Sequence, residues 1–485
     1  MMDPRGMNRR TGRQSPLPAI LLLAAVLAAT THPLAAAAEP PAAGEAPGSP
    51  PSTSPRSLSR DQARALALAN DEQIAQMQQA IQGARADVMA AGSGRLPQVD
   101  AGAVWTRNLK KPVFFLPPDL AAGLGGPAAV EMGGDWDLQA AATVTLNLWT
   151  AGRLSAARAM ASEALAESGW RKALVMDAVI YAVDAAYWGV QLAEAEVTIA
   201  EASLQLADET LRTTTAAEEQ GEASRFDLLR ARVERSNRES PLIQARNVLE
   251  QRRLQLSRLC GLQPGTRLTL TDSLQAVAHP APLEELVRAA GSGPELVALD
   301  HRIRAAEMAV SLARAGRGPV VSLQGQYAVQ GQWDGDILPG SDEAVSSASA
   351  ALAVSVPLFD GYAARADIQG READLRIARL ERERIARDRE LGVRQGRIGL
   401  ENALAALEGR REAVMLAEEA VRLAQVRRDN GLATPLEILD ADLALTRARA
   451  QFAFSLHACE IAAAGLELAV GGAHAVFAAT EGNNP

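Results

Sequence analysis

Residues 143–153 read TVTLNLWTAGR, and residues 353–363 read AVSVPLFDGYA. Leu148 falls on Leu358 and Trp149 on Phe359, each pair 210 positions apart. The same offset returns further along the chain. GEASRFDLLRA starts at Gly221 and GLATPLEILDA at Gly431, so Gly221, Ala223, Leu229 and Ala231 recur as Gly431, Ala433, Leu439 and Ala441. ADETLR from Ala207 answers AEEAVR from Ala417, and Gly261 answers Gly471. From residue 144 to residue 261 the two copies stay in step without an insertion. Surface loops accept insertions readily, so the segment is predicted to consist of rigid elements whose lengths must match. Upstream, Pro97 and Pro319 play matching parts at an offset of 222, and the first copy's 12 extra residues fall around Lys110 to Gly134, where a loop is predicted.

The residues leading into these motifs alternate. Leu138, Ala140, Ala142, Val144, Leu146 and Leu148 share one parity, and Gln139, Thr143, Thr145 and Asn147 the other. In the second copy Ala348, Ala350, Leu352, Val354, Val356 and Leu358 oppose Ser347, Ser349 and Ser355. After Pro97, Val99, Ala101, Ala103 and Trp105 oppose Gln98, Asp100 and Thr106; after Pro319, Val321, Leu323, Tyr327 and Val329 oppose Ser322, Gln324, Gln326 and Gln330. Successive strand side chains face opposite sides, so four two-faced strands are predicted. Such ribbons suit a barrel with lipid outside and water inside, although an ordinary half-buried sheet alternates in the same way. Four strands cannot close a barrel, for which about eight are needed, and open edges are not tolerated in lipid. If the strands enter a membrane, several chains must share one barrel.

Between Trp149 and Gly221 lie 72 positions, and the same number separates Phe359 from Gly431, with no proline in either stretch. Heptad-like apolar or small residues (Leu204, Ala207 and Leu211; Val414, Ala417, Val421 and Ala424) predict two long coiled-coil helices. At 1.5 Å per residue each reaches roughly 100 Å. The returns, Gly221 to Gly261 and its counterpart, cover only about 60 Å. Leu58 to Leu96 and Leu283 to Arg317 are helical patterns of the size needed to complete them. The turns at Gly221 and Gly431 then form the far tip. Ser224 and Thr434 are placed to cap the returning helices, with Pro435 in a first turn, and Pro241 is expected to kink or start a helix.

Composition narrows the function. The chain has 485 residues, of which 48% are hydrophobic and only 4% aromatic, with a net charge of -9. The acidic balance argues against a phosphate-backbone partner, so no nucleic acid is expected. Cys260 and Cys459 are too few for a disulfide framework or a thiolate zinc site. No HExxH, GxSxG or Walker loop occurs, the five histidines are scattered, and the Asp300–His301–Arg302 run reads as structural. No enzyme, cofactor or metal is expected. Arg5, Arg9, Arg10 and Arg13 precede the apolar run Leu17 to Ala29 and the small residues Ala35 to Ala38, the pattern of a secretory signal peptide. The predicted organisation is a signal peptide (1–38), a flexible Pro/Ser-rich leader (39–57), a first structural repeat (58–262), a connector (263–282), a second repeat (283–475) and a tail (476–485).

The doubled order of strand, apolar-aromatic motif, long helix, glycine turn and return helix resembles the TolC family of outer-membrane efflux proteins. LNLWTAGR, VPLFDGYA, GEASRFDLLRA and GLATPLEILDA carry the resemblance, which covers residues 58–475. It implies a mainly α fold with a small β part: a long helical coiled-coil barrel across the periplasm, and a four-stranded contribution to a trimeric transmembrane β-barrel in the outer membrane of a Gram-negative bacterium. It implies a homotrimer contacting outer-membrane lipid, a periplasmic membrane-fusion adaptor, and an inner-membrane transporter of the resistance-nodulation-division or ABC type. The expected function is an efflux channel for small toxic compounds, drugs or metal ions. A type I protein secretion duct of the same fold and a soluble periplasmic coiled-coil adaptor are the alternatives.

The resemblance also assigns roles to residues. Glu437 and Asp440 match acidic residues lining the closed periplasmic entrance, and three copies would form a carboxylate ring that attracts cations. Asp227 matches an acidic residue that helps latch the entrance. An arginine expected two after the second tip glycine is replaced by Ala433, which leaves Arg225, Arg427 or Arg428 as latch partners. The adaptor is expected to grip Gly221, Ala223, Ser224, Gly431, Leu432, Ala433 and Thr434.

Overall fold

The computed structural model describes residues 56–115, 117, 119, 123, 129–131, 133–335, 344–430 and 432–472. The predicted signal peptide, most of the leader, the tail and Gly431 lie outside the described residues. Those described divide into two compact units, one of Met89–Arg158 and Ala309–Gly370, the other of residues through 88, Ala159–Met308 and residues from 371.

The first unit is a four-stranded antiparallel sheet. Its strands are β2 (Gln98–Arg107), β5 (Trp136–Trp149), β7 (Val320–Trp333) and β8 (Ala344–Ser355), in the order β2-β5-β7-β8. The register preserves the predicted parity up to Asn147, where a bulge shifts the pairing of Trp149 with β7. Val99 pairs with Val144, Ala101 with Ala142 and Trp105 with Leu138, while Gln98 pairs with Thr145 and Asp100 with Thr143. Leu146 then meets Leu323, which meets Leu352; Thr143 meets Gln326, which meets Ser349. A one-residue slip at any pairing would invert a strand, so this agreement gives the sheet one apolar and one polar face. The segment predicted as a loop after β2 also holds a short antiparallel ribbon, β3 (Val113–Phe115) with β4 (Ala129–Glu131).

The turns that follow β5 and β8 share one backbone shape. Ala151 and Gly152 have φ of 51° and 87°; 210 positions later Gly361 and Tyr362 have 67° and 71°. Glycine serves the second position of the pair in one copy and the first in the other, so each copy holds one side chain in a left-handed conformation that costs it roughly 1–2 kcal/mol.

In chain order the helices are α1 (Arg60–Asn70), α2 (Glu72–Ser93), α3 (Arg153–Glu219), α4 (Arg225–Leu259), α5 (Leu283–Ala290), α6 (Pro294–Ala315), α7 (Ala363–Asp429) and α8 (Pro435–Val470). The predicted equality holds: α3 and α7 each have 67 residues, and α4 and α8 have 35 and 36. At 1.5 Å per residue the long pair measures about 100 Å each. Arg212 grips Glu209 through Nη2 and Oε1 at 2.6 Å, and Arg422 grips Glu419 through the same atoms at 2.6 Å, again 210 positions apart.

Some expectations need correction. The pattern from Leu58 to Leu96 is two helices, because Asp71 turns extended (φ -69°, ψ 128°) and its Oδ1 accepts from the N–H groups of Gln73 at 2.8 Å and Ile74 at 3.1 Å, starting α2 afresh. The stretch from Leu283 likewise breaks between α5 and α6. Of the two outcomes expected at Pro241, it is the helix start that is not seen: the proline sits inside α4. Arg56 and Ser57, placed in the leader, belong with Leu58 to strand β1 (Arg56–Leu58), which pairs in parallel with β6 (Leu268–Leu270) of the predicted connector. Cys260 and Cys459 are both buried and not joined in a disulfide.

Candidate functional site

At the first helical tip the chain leaves α3 through Gly221, whose φ is 81°. The Glu222 N–H donates to the Ala217 carbonyl at 2.8 Å, and the Ala223 N–H to the same oxygen at 3.2 Å. Ser224 caps α4. Its Oγ accepts from the Asp227 N–H at 3.2 Å, while Asp227 Oδ2 accepts from the Ser224 hydroxyl at 2.6 Å and from the Ser224 N–H at 3.2 Å. These bonds, the hydroxyl first, hold the Asp227 carboxyl below its ordinary value. Its charge is turned inward on its own cap. Arg225 lies 3.7 Å from Glu218.

The second tip repeats the turn and differs in what it does with its acid. The Leu432 N–H donates to the Arg427 carbonyl at 2.8 Å, the counterpart of Glu222 and Ala217. Glu437 Oε1 accepts from the Thr434 N–H at 3.4 Å, and its other oxygen lies 3.5 Å from Arg427 Nη2. Arg427 Nη2 also donates to the Leu432 carbonyl at 3.2 Å. Of the three candidate latch arginines, Arg427 is placed on the candidate acid Glu437. Arg428 acts on Glu209, whose carboxyl it helps lower after Arg212. Asp440 is exposed in the following turn, as are Leu432 and Thr434, while Ala433 and Ala223 are half-buried.

One cross-helix contact escaped the sequence reading. Asp442 is only 8% exposed and sits where α8 otherwise buries Ile438, Leu439 and Leu445. Its Oδ2 lies 3.5 Å from Arg238 Nη1 of α4 and accepts from the Ser203 hydroxyl of α3 at 3.4 Å. Burial pushes the Asp442 carboxyl up, against the pull of Arg238. The signal was present: a carboxylate on the i, i+3, i+4, i+7 apolar stripe of an amphipathic helix requires a partner.

In the sheet unit, aromatic side chains gather near both ends of the strands. Trp105 stands edge-on to Trp136 with centroids 5.9 Å apart and 6.3 Å from Trp333, and the Arg107 guanidinium lies over Trp136 at 5.2 Å. At the other end Trp149 is exposed, and Phe359 meets Tyr362 edge-on at 5.6 Å. Trp136 and Trp149 bound the 14 residues of β5. At about 3.3 Å per residue and a tilt of about 40°, they are separated by roughly 33 Å of height, close to the hydrocarbon thickness of about 30 Å. Val99, Val144, Leu323, Leu352 and Val354 between them remain exposed to solvent in the single chain. A sheet with an apolar band, two aromatic belts and unpaired outer edges on β2 and β8 has the surface that lipid and further strands require.

Comparison with known proteins agrees with this surface. The family described as outer membrane efflux protein matches residues 63–262 and 286–472. The outer membrane protein VceC from Vibrio cholerae is 18% identical, with a TM-score of 0.68 over 85% of this chain and 96% of that one. The Campylobacter jejuni CmeC outer membrane channel is 15% identical, with a TM-score of 0.71 over 85% of this chain and 86% of that one. The open state of the Neisseria gonorrhoeae MtrE outer membrane channel is 19% identical, with a TM-score of 0.68 over 85% and 89%. At such identities the likeness to these structures is one of fold. No curated protein matches the chain.

Proposed function

Because the chain belongs to the outer membrane efflux protein family, we propose that it conducts small toxic compounds outward through an entrance gated at the second helical tip. Members of the family are trimeric, non-enzymatic channels of the Gram-negative outer membrane with a periplasmic helical part, working with an adaptor and an inner-membrane transporter. The small-compound cargo and the roles of the tip residues are our reading. Its main support is the geometry of α8, where Glu437 is shared between its cap and Arg427, Asp440 is exposed one turn on, and Asp442 ties α8 to α3 and α4. Three copies of Glu437 and Asp440 around a narrow axis favour cations. Arg427 and Arg238 are the proposed latch groups, the first replacing the arginine that Ala433 lacks. The exposed turn residues Gly221, Ser224, Leu432 and Thr434, with Ala223, Gly431 and Ala433, are the proposed adaptor grip.

Two measurements test this reading. In planar bilayers, Glu437→Gln with Asp440→Asn weakens block of single-channel conductance by multivalent cations; unchanged block would remove both residues from the entrance. A deletion strain becomes sensitive to dyes, detergents or metal salts and is rescued by the intact gene. A strain that keeps its resistance but fails to secrete a protein would move the cargo to type I secretion.

A further inference from the structure

We propose that Asp100 and Asp137 set the charge preference of the barrel lumen, so that it favours neutral and cationic small compounds over anionic ones. The inference rests on the channel reading and concerns the sheet, a site separate from the helical tips. The register supplies its first support. Asp100 pairs with Thr143, and Asp137 with Thr106 and Gln332, so both lie on the polar face. The register, which shifts only at a bulge between Asn147 and Trp149, places no lysine, arginine or glutamate on that face of the four strands. Apart from small and aliphatic residues, the face is a carpet of amides and hydroxyls, with Gln98, Gln139, Gln324, Gln326, Gln330 and Gln332 as its largest members. Gln332 donates to Asp137 Oδ2 at 2.7 Å and leaves the charge in place.

Two basic side chains at the end of β2 are engaged elsewhere. Arg107 has the opposite parity and stacks on Trp136. Lys111, beyond the end of β2, is 2.5 Å from Asp334 and 3.4 Å from Asp135. Closing three copies into one barrel gives two rings of three aspartates. The six-residue step between Thr143 and Asp137 along β5 sets the rings roughly 15 Å apart in height at the usual rise and tilt. With a Debye length of about 10 Å at 0.1 M salt, their fields meet, and a solute crossing this stretch stays within reach of negative charge. Amides and hydroxyls offer hydrogen bonds without a hydrophobic resting place, which suits transit better than retention.

The test is the potassium-to-chloride permeability ratio of the purified full-length protein in planar bilayers under a salt gradient. The wild type prefers cations, and Asp100→Asn with Asp137→Asn lowers the ratio about threefold at 0.1 M salt and less at 1 M, where charges are screened within about 3 Å. Asp100→Cys gives a second route. A sulfonate-bearing thiol reagent restores the preference, and an ammonium-bearing reagent lowers it below that of the asparagine variant. The wild type, whose Cys260 and Cys459 are buried, serves as control. An unchanged ratio in the double variant, or equal effects of the two reagents, overturns the assignment. So does loss of the whole preference in the Glu437→Gln, Asp440→Asn variant. A wild type that forms no conducting channels overturns the channel reading itself.

Discussion

In the first helical core Val183, Val190, Leu249, Leu256 and Cys260 are buried; 210 positions later Val393, Leu400, Cys459, Leu466 and Val470 are buried in the second. Around these matched positions the chemistry differs. The first core holds Tyr187, whose hydroxyl donates to the Leu58 carbonyl at 3.1 Å and lies 3.0 Å from Asp272 Oδ2, which accepts from the Arg60 N–H at 2.7 Å. Burial above all pushes the Tyr187 hydroxyl up to about 12, so it remains a donor in any ordinary buffer. Beside it Asp184, 1% exposed, is ion-paired with Arg64. The counterparts of Asp184 and Tyr187 are Arg394 and Arg397, which pair within their own helix with Glu390 and Glu401. Strand pairing with the connector explains the part of the asymmetry at Tyr187. β6 and Asp272 dock on the first core, bringing polar backbone that must be satisfied. Repetition fixed which positions are buried; the connector, through Asp272, and α1, through Arg64, decided which of them became polar.

The largest expected effect lies at that difference. Asp184→Ala takes from Arg64 its hydrogen-bonded partner, leaving Glu467 at 3.6 Å and Asp61 at 3.8 Å, and costs about 3 kcal/mol, whereas Arg394→Ala at the matched position stays within about 0.5 kcal/mol. Denaturant midpoints of the two variants measure the gap, and equal midpoints would show the two cores to be electrostatically alike. Glu460, near Asp184, tests the same asymmetry by pH. Burial first, then Asp184 and Glu467, push its carboxyl up to about 7 from an ordinary 4.5, against the pull of Arg60. Folded Glu460 therefore keeps its proton to higher pH than the unfolded chain does. Its contribution is full below pH 4.5 and is lost as pH rises to 7. Glu460→Gln flattens that decline and unfolds at higher temperature than the wild type above pH 7. An unaltered pH profile would place this carboxyl in water.

The smallest effect concerns the paired left-handed turns. Ala151→Gly relieves an alanine at positive φ and is expected to stabilise by about 0.5 kcal/mol, the relief exceeding the entropy that glycine adds to the unfolded chain. Tyr362→Gly gains less, because it forfeits the edge contact with Phe359. Thermal melts of the two variants rank them; destabilisation by Ala151→Gly would mean that the turn is held by packing of that methyl group.

Features that depend on period and spacing were legible in the chain. The helix lengths, the offset of 210, both faces of the sheet and the Ser224 cap follow from repeating local patterns, since side chains three or four apart share a helix face and alternate residues share a strand face. Glu437 and Asp440 were legible as positions, but not the ion pair between Glu437 and Arg427. The neighbour is Arg427 in the second tip and Ala217 at the matching place in the first, and the tertiary turn brings that arginine onto the cap. Asp442 with Arg238 and Ser203, Asp184 with Arg64, and β1 with β6 join residues far apart in the chain. No period encodes such pairs. They exist because burial strips water from polar groups and leaves the nearest partner in space as the only remedy. The sequence by itself set the lengths and the faces of this protein, and the folded chain alone decided which charges would meet.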